Sequence, residues 1–212
     1  GVLFVRRELV AKHPLLPVDL LRIPAFGLSI AGSVAAFTSQ TMAYIALPFY
    51  FHDVMAKTPG ETGLLMTPWA LVIVVVAPYA GRLSDRYHAG MLGGLGMVML
   101  AVGLALLASL PNHAGTADIV WRIVLCGVGF GLFQTPNNRT MIGSAPIHRR
   151  GGASGMQAMA RLSGQTLGAA FMAFVFHVTA GRGAASALWV AAGFALLAGS
   201  ASLMRLGKRA VT

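Results

Sequence analysis

Charged side chains are scarce in this chain of 212 residues: 10% are charged, 56% are hydrophobic, and only six are acidic. Soluble domains carry roughly a quarter charged residues. A water-exposed globular surface is therefore excluded, and a mean hydropathy of +0.72 places the chain in a bilayer. Cysteine is nearly absent. The single Cys126 lies within an apolar run, which removes intrachain disulfides and cysteine metal sites and leaves it as small core filler. The acids Glu8, Asp19, Asp53, Glu61, Asp85 and Asp118 all fall in connectors, loops or near the ends of apolar runs, so none stands near a bilayer midplane. His13, His52, His88, His113, His148 and His177 are scattered, and no pair has metal-ligand spacing on one helix. The sequence thus reads as a non-enzyme with no cofactor and no metal site. Its net charge of +10 comes in short clusters between apolar runs rather than on one solvated face, which argues against a nucleic-acid partner.

What the chain does have is apolar runs long enough to cross ~30 Å of hydrocarbon as helices. The predicted fold class is an all-α membrane protein of six spans, at about 25–51, 63–80, 90–110, 117–143, 153–178 and 184–203. Residues 1–24 form the end of a preceding span, Gly1 to Val5, and a connector that Pro14, Pro17 and Pro24 keep from becoming one helix. The chain opens on Gly1, its first Met is Met42, and no signal-peptide pattern precedes it, so it reads as the later part of a longer polypeptide. Arg6, Arg7, Lys12, Arg22, Arg82, Arg86, Arg149, Arg150, Arg205, Lys208 and Arg209 fall on one side of the alternating loops, and Lys57 and Arg182 on the other. The positive-inside rule makes the first side, and the C-terminus, cytoplasmic. Three spans precede the turn at Pro111 to Thr116 and three follow. Because three is odd, the second triplet enters from the opposite side, which is a 3+3 inverted repeat.

Helical spacing groups polar and aromatic residues onto faces that a substrate can meet. Phe130, Gln134, Asn137 and Asn138 share a face of the fourth span, Gln157, Arg161 and Gln165 one of the fifth, and Gln40 and Tyr44 one of the first. With pliable Met66 and Met159 nearby, such a surface suits bulky amphipathic molecules; hydrogen bonding between helices explains each polar residue equally well. Arg161 lies about 12 Å into its span, where it faces protein or water or else snorkels to the headgroups. Arg122 has the same two readings. The glycines Gly127, Gly129 and Gly131, and the pairs Gly90/Gly94 and Gly164/Gly168, read as close helix packing rather than a dinucleotide loop. The stretch Gly81-Arg82-Leu83-Ser84-Asp85-Arg86-Tyr87-His88-Ala89-Gly90 reads as a charged loop between spans two and three, with Asp85 capping the next helix.

Gly81-Arg82-Leu83-Ser84-Asp85-Arg86 also resembles the signature between adjacent helices in each half of major facilitator superfamily transporters. There the acid and bases latch helices on the cytoplasmic side, which assigns Gly81, Arg82, Asp85, Arg86 and Gly90 to a conformational latch. Gln134-Thr135-Pro136-Asn137-Asn138-Arg139, Arg149-Arg150-Gly151-Gly152-Ala153-Ser154-Gly155, Ala160-Arg161-Leu162-Ser163-Gly164-Gln165 and the lead-in Pro14-Leu15-Leu16-Pro17 are similar to the C-terminal half of the fourteen-spanning drug/proton antiporter family. The resemblance implies multidrug efflux: lipophilic, cationic drugs exported across the inner membrane by proton-coupled alternating access. Its partners are then lipid, a lipophilic small molecule, protons and the N-terminal half, which holds the family's principal proton-coupling carboxylates. A transporter half for another solute, such as an organic anion, and a non-transporting six-span scaffold remain as alternatives.

Overall fold

The computed structural model describes residues 18–111, 114–179 and 183–206. A short 3-10 turn, Val18–Arg22, leads into six long helices: α1 (Pro24–Phe49), α2 (Pro59–Arg86), α3 (Ala89–Ala108), α4 (Thr116–Ser144), α5 (Arg150–Val178) and α6 (Ala184–Leu203). No strand occurs among the described residues. The expectations for Gly1 to Pro17, His113, Arg182, Lys208 and Arg209 lie outside the described residues.

Local sequence sets the helix starts. Pro24 opens α1, where a missing N–H costs nothing. At α2, Thr58 and Glu61 form a reciprocal capping box: the Glu61 N–H donates to Thr58 Oγ1 at 3.3 Å and the Thr58 N–H to Glu61 Oε2 at 2.8 Å. Near the far end of α1, Pro48 removes one backbone donor, and the helix widens at once into a π-turn, Tyr50–Val54. Ala56 then takes a left-handed conformation, φ 52°, and the chain reverses into α2.

The helices interlace. α1 packs on α5 and α6, α4 packs on α2 and α3, α3 packs on α6, and α1 meets α4, while α2 hardly touches α3 and α5 hardly touches α6. Exchanging α1 with α4, α2 with α5 and α3 with α6 leaves this pairing unchanged. That is the inverted 3+3 repeat, visible in packing. Glycine makes the tightest contacts possible. A Cβ on Gly129 would lie 2.5 Å from the Gly96 carbonyl oxygen of α3, and one on Gly127 would lie 2.9 Å from the Trp69 carbonyl oxygen of α2. α4 is thus pressed against two helices through alternate glycines. Gly164 and Gly168 seat α5 on α1 in the same way, with Val34 O at 2.6 Å and Thr38 O at 2.8 Å from the added carbons.

Two expectations need correction. Gly81, Arg82, Asp85 and Arg86 are not a loop: α2 continues through Arg86, and only Tyr87 and His88 separate it from α3. Asp85 does not cap α3, whose N-cap is His88; its carboxylate accepts from Arg139 of α4 instead. All six helices stand in the bundle, and among the described residues five of them are apolar enough to cross a membrane by length and composition alone. α5 is long enough, with 29 residues, and owes its lower hydropathy to Gln157, Arg161, Ser163, Gln165 and Thr166.

Gly129→Ala is expected to destabilise the bundle by about 1–3 kcal/mol, since a backbone contact has no room to yield. Gly143→Ala, where an added carbon meets nothing within 4 Å, is expected to be neutral. Thermal unfolding of the two variants in detergent checks the difference.

Candidate functional site

Aromatic contacts join one side of α1, α2, α4 and α5. Tyr44 of α1 meets Trp69 of α2 edge-on at 5.1 Å, and Phe37 of α1 meets Phe130 of α4 edge-on at 5.5 Å. Arg161 of α5 is exposed, and its guanidinium lies over the Phe37 ring at 5.5 Å. The charge therefore rests on a ring face, an arrangement that suits an arginine with little water around it. Gln40 of α1, Gln134 of α4 and Gln157 and Gln165 of α5 are half-buried. Rings, amides and one guanidinium together offer π contact, apolar area and several adaptable hydrogen-bonding groups.

The face expected on α4 divides. Phe130 and Asn137 are buried at 1% exposure, whereas Gln134 and Asn138 are half-buried. The four residues span about 100° of helical arc, so the inner edge of that arc is spent on packing. The Asn137 amide donates to Ser33 Oγ at 2.8 Å and to the Ser29 carbonyl at 3.3 Å, both on α1. Its carbonyl oxygen accepts from Arg205 at 2.8 Å. Arg205, just beyond α6, also donates to Ser29 Oγ and, through its second terminal nitrogen, to Ser202 Oγ; Ser202 in turn donates to the Gly90 carbonyl of α3 at 3.1 Å. One guanidinium thus ties α1, α3, α4 and α6. Burial lowers its pKa to about 10, which leaves it protonated at neutral pH.

Ion pairs flank this knot. Arg139 donates to Asp85 Oδ1 at 2.8 Å, to Ser84 Oγ at 2.9 Å and to the Gly81 carbonyl at 2.7 Å, joining α4 to α2. Gly81 and Asp85 of the expected latch are therefore brought together, by a partner the sequence left unassigned. Gly90 packs instead on Ser202, while Arg82 and Arg86 are exposed. Arg149 pairs with Asp19 of the leading 3-10 turn. That hydrogen bond holds the Asp19 carboxyl below the usual carboxylate value, so the clamp is complete at neutral pH and lost only as pH falls through the lowered pKa. At the opposite end Arg122 pairs with Asp118 at 2.9 Å and donates to the Leu106 carbonyl of α3, which settles it as a helix tie. Phe49 and Phe176 meet there edge-on at 5.0 Å.

Two cavities open at opposite ends. One, of about 450 Å³, lies between the end of α1 and the start of α2, lined by Pro48, Phe49, His52, Thr62, Gly63 and Met66. The other, of about 660 Å³, lies between the end of α4 and the start of α5, lined by Thr135, Asn138, Arg139, Ile142, Gly143 and Arg150. The exchange of triplets relates their positions.

Residues 28–210 match the family model described as Major Facilitator Superfamily. The chain belongs to the major facilitator superfamily. Within that superfamily it is 50% identical over 206 residues to the "Uncharacterized transporter YebQ" of Escherichia coli, covering 97% of this chain and 45% of that protein. It is 30% identical over 173 residues to the "Multidrug resistance protein Stp" of Mycobacterium tuberculosis, covering 82% of this chain and 32% of that protein. It is 26% identical over 175 residues to the "Riboflavin transporter RibZ" of Clostridioides difficile, covering 82% and 38%. The chain spans less than half the length of these curated relatives. It is a multi-pass membrane chain of a transporter superfamily, not of an enzyme family.

Sequence reasoning did not single out Phe37, Trp69, Arg205, Ser29 and Ser33. Ser29, Ser33 and Phe37 recur every four residues on α1, a stripe that was there to be counted, whereas Arg205 sits in a basic cluster that reads as a topology signal. Asn137→Leu is expected to destabilise the bundle by about 1–2 kcal/mol. Arg205→Leu is expected to cost more, because it strands acceptors on three residues at once. Unfolding in detergent ranks the two.

Proposed function

We propose that this chain is the C-terminal half of a proton-coupled exporter of bulky lipophilic compounds, working by alternating access in the bacterial plasma membrane. The observation that carries the reading is the ring-and-amide surface shared by α1, α2, α4 and α5. Arg161 is exposed, and its neighbouring glutamines are half-buried, at a depth where hydrocarbon cannot solvate them. They call for a facing protein surface with water or substrate between, and α2, with 17% of its span window buried, has most of its surface free to meet one. A preceding half of the same transporter is the partner that fits. Gln40, Tyr44, Gln134, Asn138, Gln157, Arg161 and Gln165 then line the substrate path, with Phe130 and Asn137 supporting it from behind.

Cationic drugs are matched by the ring faces of Tyr44, Trp69 and Phe37. The carboxylates that would match their charge, and carry the coupled protons, belong to the preceding half, because Asp53, Glu61, Asp85 and Asp118 all stand at helix ends or turns. The relative with a multidrug name supports this substrate class. A second reading, a carrier for one flat polar solute, draws on the relative named for riboflavin. The basic end, with Arg22, Arg82, Arg86, Arg139, Arg149, Arg150 and Arg205, is the cytoplasmic end, and the C-terminus lies with it.

Proteoliposomes holding the full gene product are expected to show saturable, substrate-dependent proton movement across a panel of lipophilic cations, and vesicles with this chain alone none. A response to a single flat solute would favour the second reading. Proton movement from the chain alone would overturn the half-transporter assignment. Arg161→Ala is expected to slow transport about tenfold or more, with Arg161→Lys intermediate, because a lysine reproduces the charge but not the planar stacking on Phe37. Single cysteines in a Cys126→Ala background test the orientation. One at Lys57 should react with an impermeant thiol reagent in whole cells, and ones at Ser84 and His148 should not.

A further inference from the structure

We infer that the face of the Phe37 ring is a binding site for the delocalised charge of a flat aromatic cation, and that Arg161 occupies it as a built-in place-holder which the substrate displaces. The Arg161 guanidinium lies over that ring at 5.5 Å, where an aromatic face attracts any cation. The backbone fixes the pairing. On the next turn of α5, Gly164 brings that helix so close to α1 that an added carbon would lie 2.6 Å from the Val34 carbonyl oxygen and 2.8 Å from Phe37 Cβ. Phe37 is further set against Phe130 of α4, edge to face at 5.5 Å, and is only 6% exposed. Arg161 is exposed. The group that covers the ring thus stands at the surface, and its departure uncovers the ring face.

Little holds Arg161 in place. Arg122, Arg139 and Arg149 each grip a carboxylate, and Arg205 donates to three side-chain oxygens. Arg161 has neither an ion pair nor a hydrogen bond among the described residues; what it has is the ring. A planar guanidinium copies the delocalised charge of an aromatic cation, and its tether keeps it at high effective concentration beside Phe37. A ligand displaces it only by bringing apolar area that an arginine lacks. The exposed Tyr44, farther along α1 and edge-on to Trp69 at 5.1 Å, offers a second aromatic surface for that area. Small hydrated cations are therefore turned away and large flat ones admitted. When the substrate leaves, the returning guanidinium closes the site behind it, which speeds release. A positive side chain on a path for cations then has a use. The inference rests on the export reading for its part in turnover, whereas competition for the ring is a property of binding alone.

The test measures binding of ethidium, a flat aromatic cation, and of phenanthridine, its uncharged ring system, to the full gene product in nanodiscs by titration calorimetry. Arg161→Ala is expected to bind ethidium about three- to tenfold more tightly and phenanthridine unchanged. Arg161→Gln, which keeps a polar group at that depth, should do the same and serves if the alanine variant folds poorly. In a Phe37→Leu background the tightening should vanish, because the ring for which the two cations compete is gone. In transport, Arg161→Ala should lower the half-saturating ethidium concentration and the maximal rate together. Ethidium binding that is absent, unchanged or weakened in both Arg161 variants would overturn the place-holder. Equal tightening with and without Phe37 would overturn it too, leaving only repulsion between like charges. If the unmodified protein exports ethidium while the variants bind it no more tightly, the place-holder fails and the exporter reading stands. Ring-dependent tightening in a protein that moves no cation would keep the binding site and remove the exporter assignment.

Discussion

A guanidinium with no carboxylate among its bonding partners in the described residues holds one end of this bundle together. Arg205 reaches α1 and α4 directly, and α3 through Ser202, using serine hydroxyls and the amide of Asn137. In a bilayer the hydrophobic effect gives helices no reason to associate, so contact must come from close packing and from polar groups that find one another. The knot around Arg205 supplies the second, and Gly96, Gly127, Gly129, Gly164 and Gly168 supply the first. The aromatic surface of α1, α2, α4 and α5 depends on both, because its four helices meet only where those glycines let them.

The span pattern was legible because each apolar run is bounded by proline, glycine or charge. The sequence marks an apolar run at 184–203, and the structure has a helix over Ala184–Leu203. The packing role of the glycines was legible too, since a glycine within an apolar helix has few other uses. Partnership was not. Arg205 and Ser29 are 176 residues apart and Arg139 and Asp85 are 54 apart, and nothing in either neighbourhood marks the pairing. The end of α2 was misjudged for a related reason: a run of glycine, serine and charge looks like a turn until a distant arginine is seen to engage its carbonyl and its acid.

The candidate surface divides along the same line. Gln157, Arg161 and Gln165 share a face of α5, as helical spacing requires. On α4 the spacing defined an arc but could not say which edge of it points inward. That depended on where α1 lies, and hence on Ser29 and Ser33. The place of the two end cavities was hidden as well, because it depends on how helices distant in sequence pack.

The interlacing of the triplets has a mechanical consequence. α1 is held between α5 and α6, which belong to the other triplet, and α4 between α2 and α3, so neither triplet can slide or hinge without dragging the other. Within each triplet, helices that are neighbours in sequence make little contact, so neither triplet stands as a unit that could part from the other. The whole therefore behaves as a stiff lever. Any large movement it makes is a rotation as one body against something outside it.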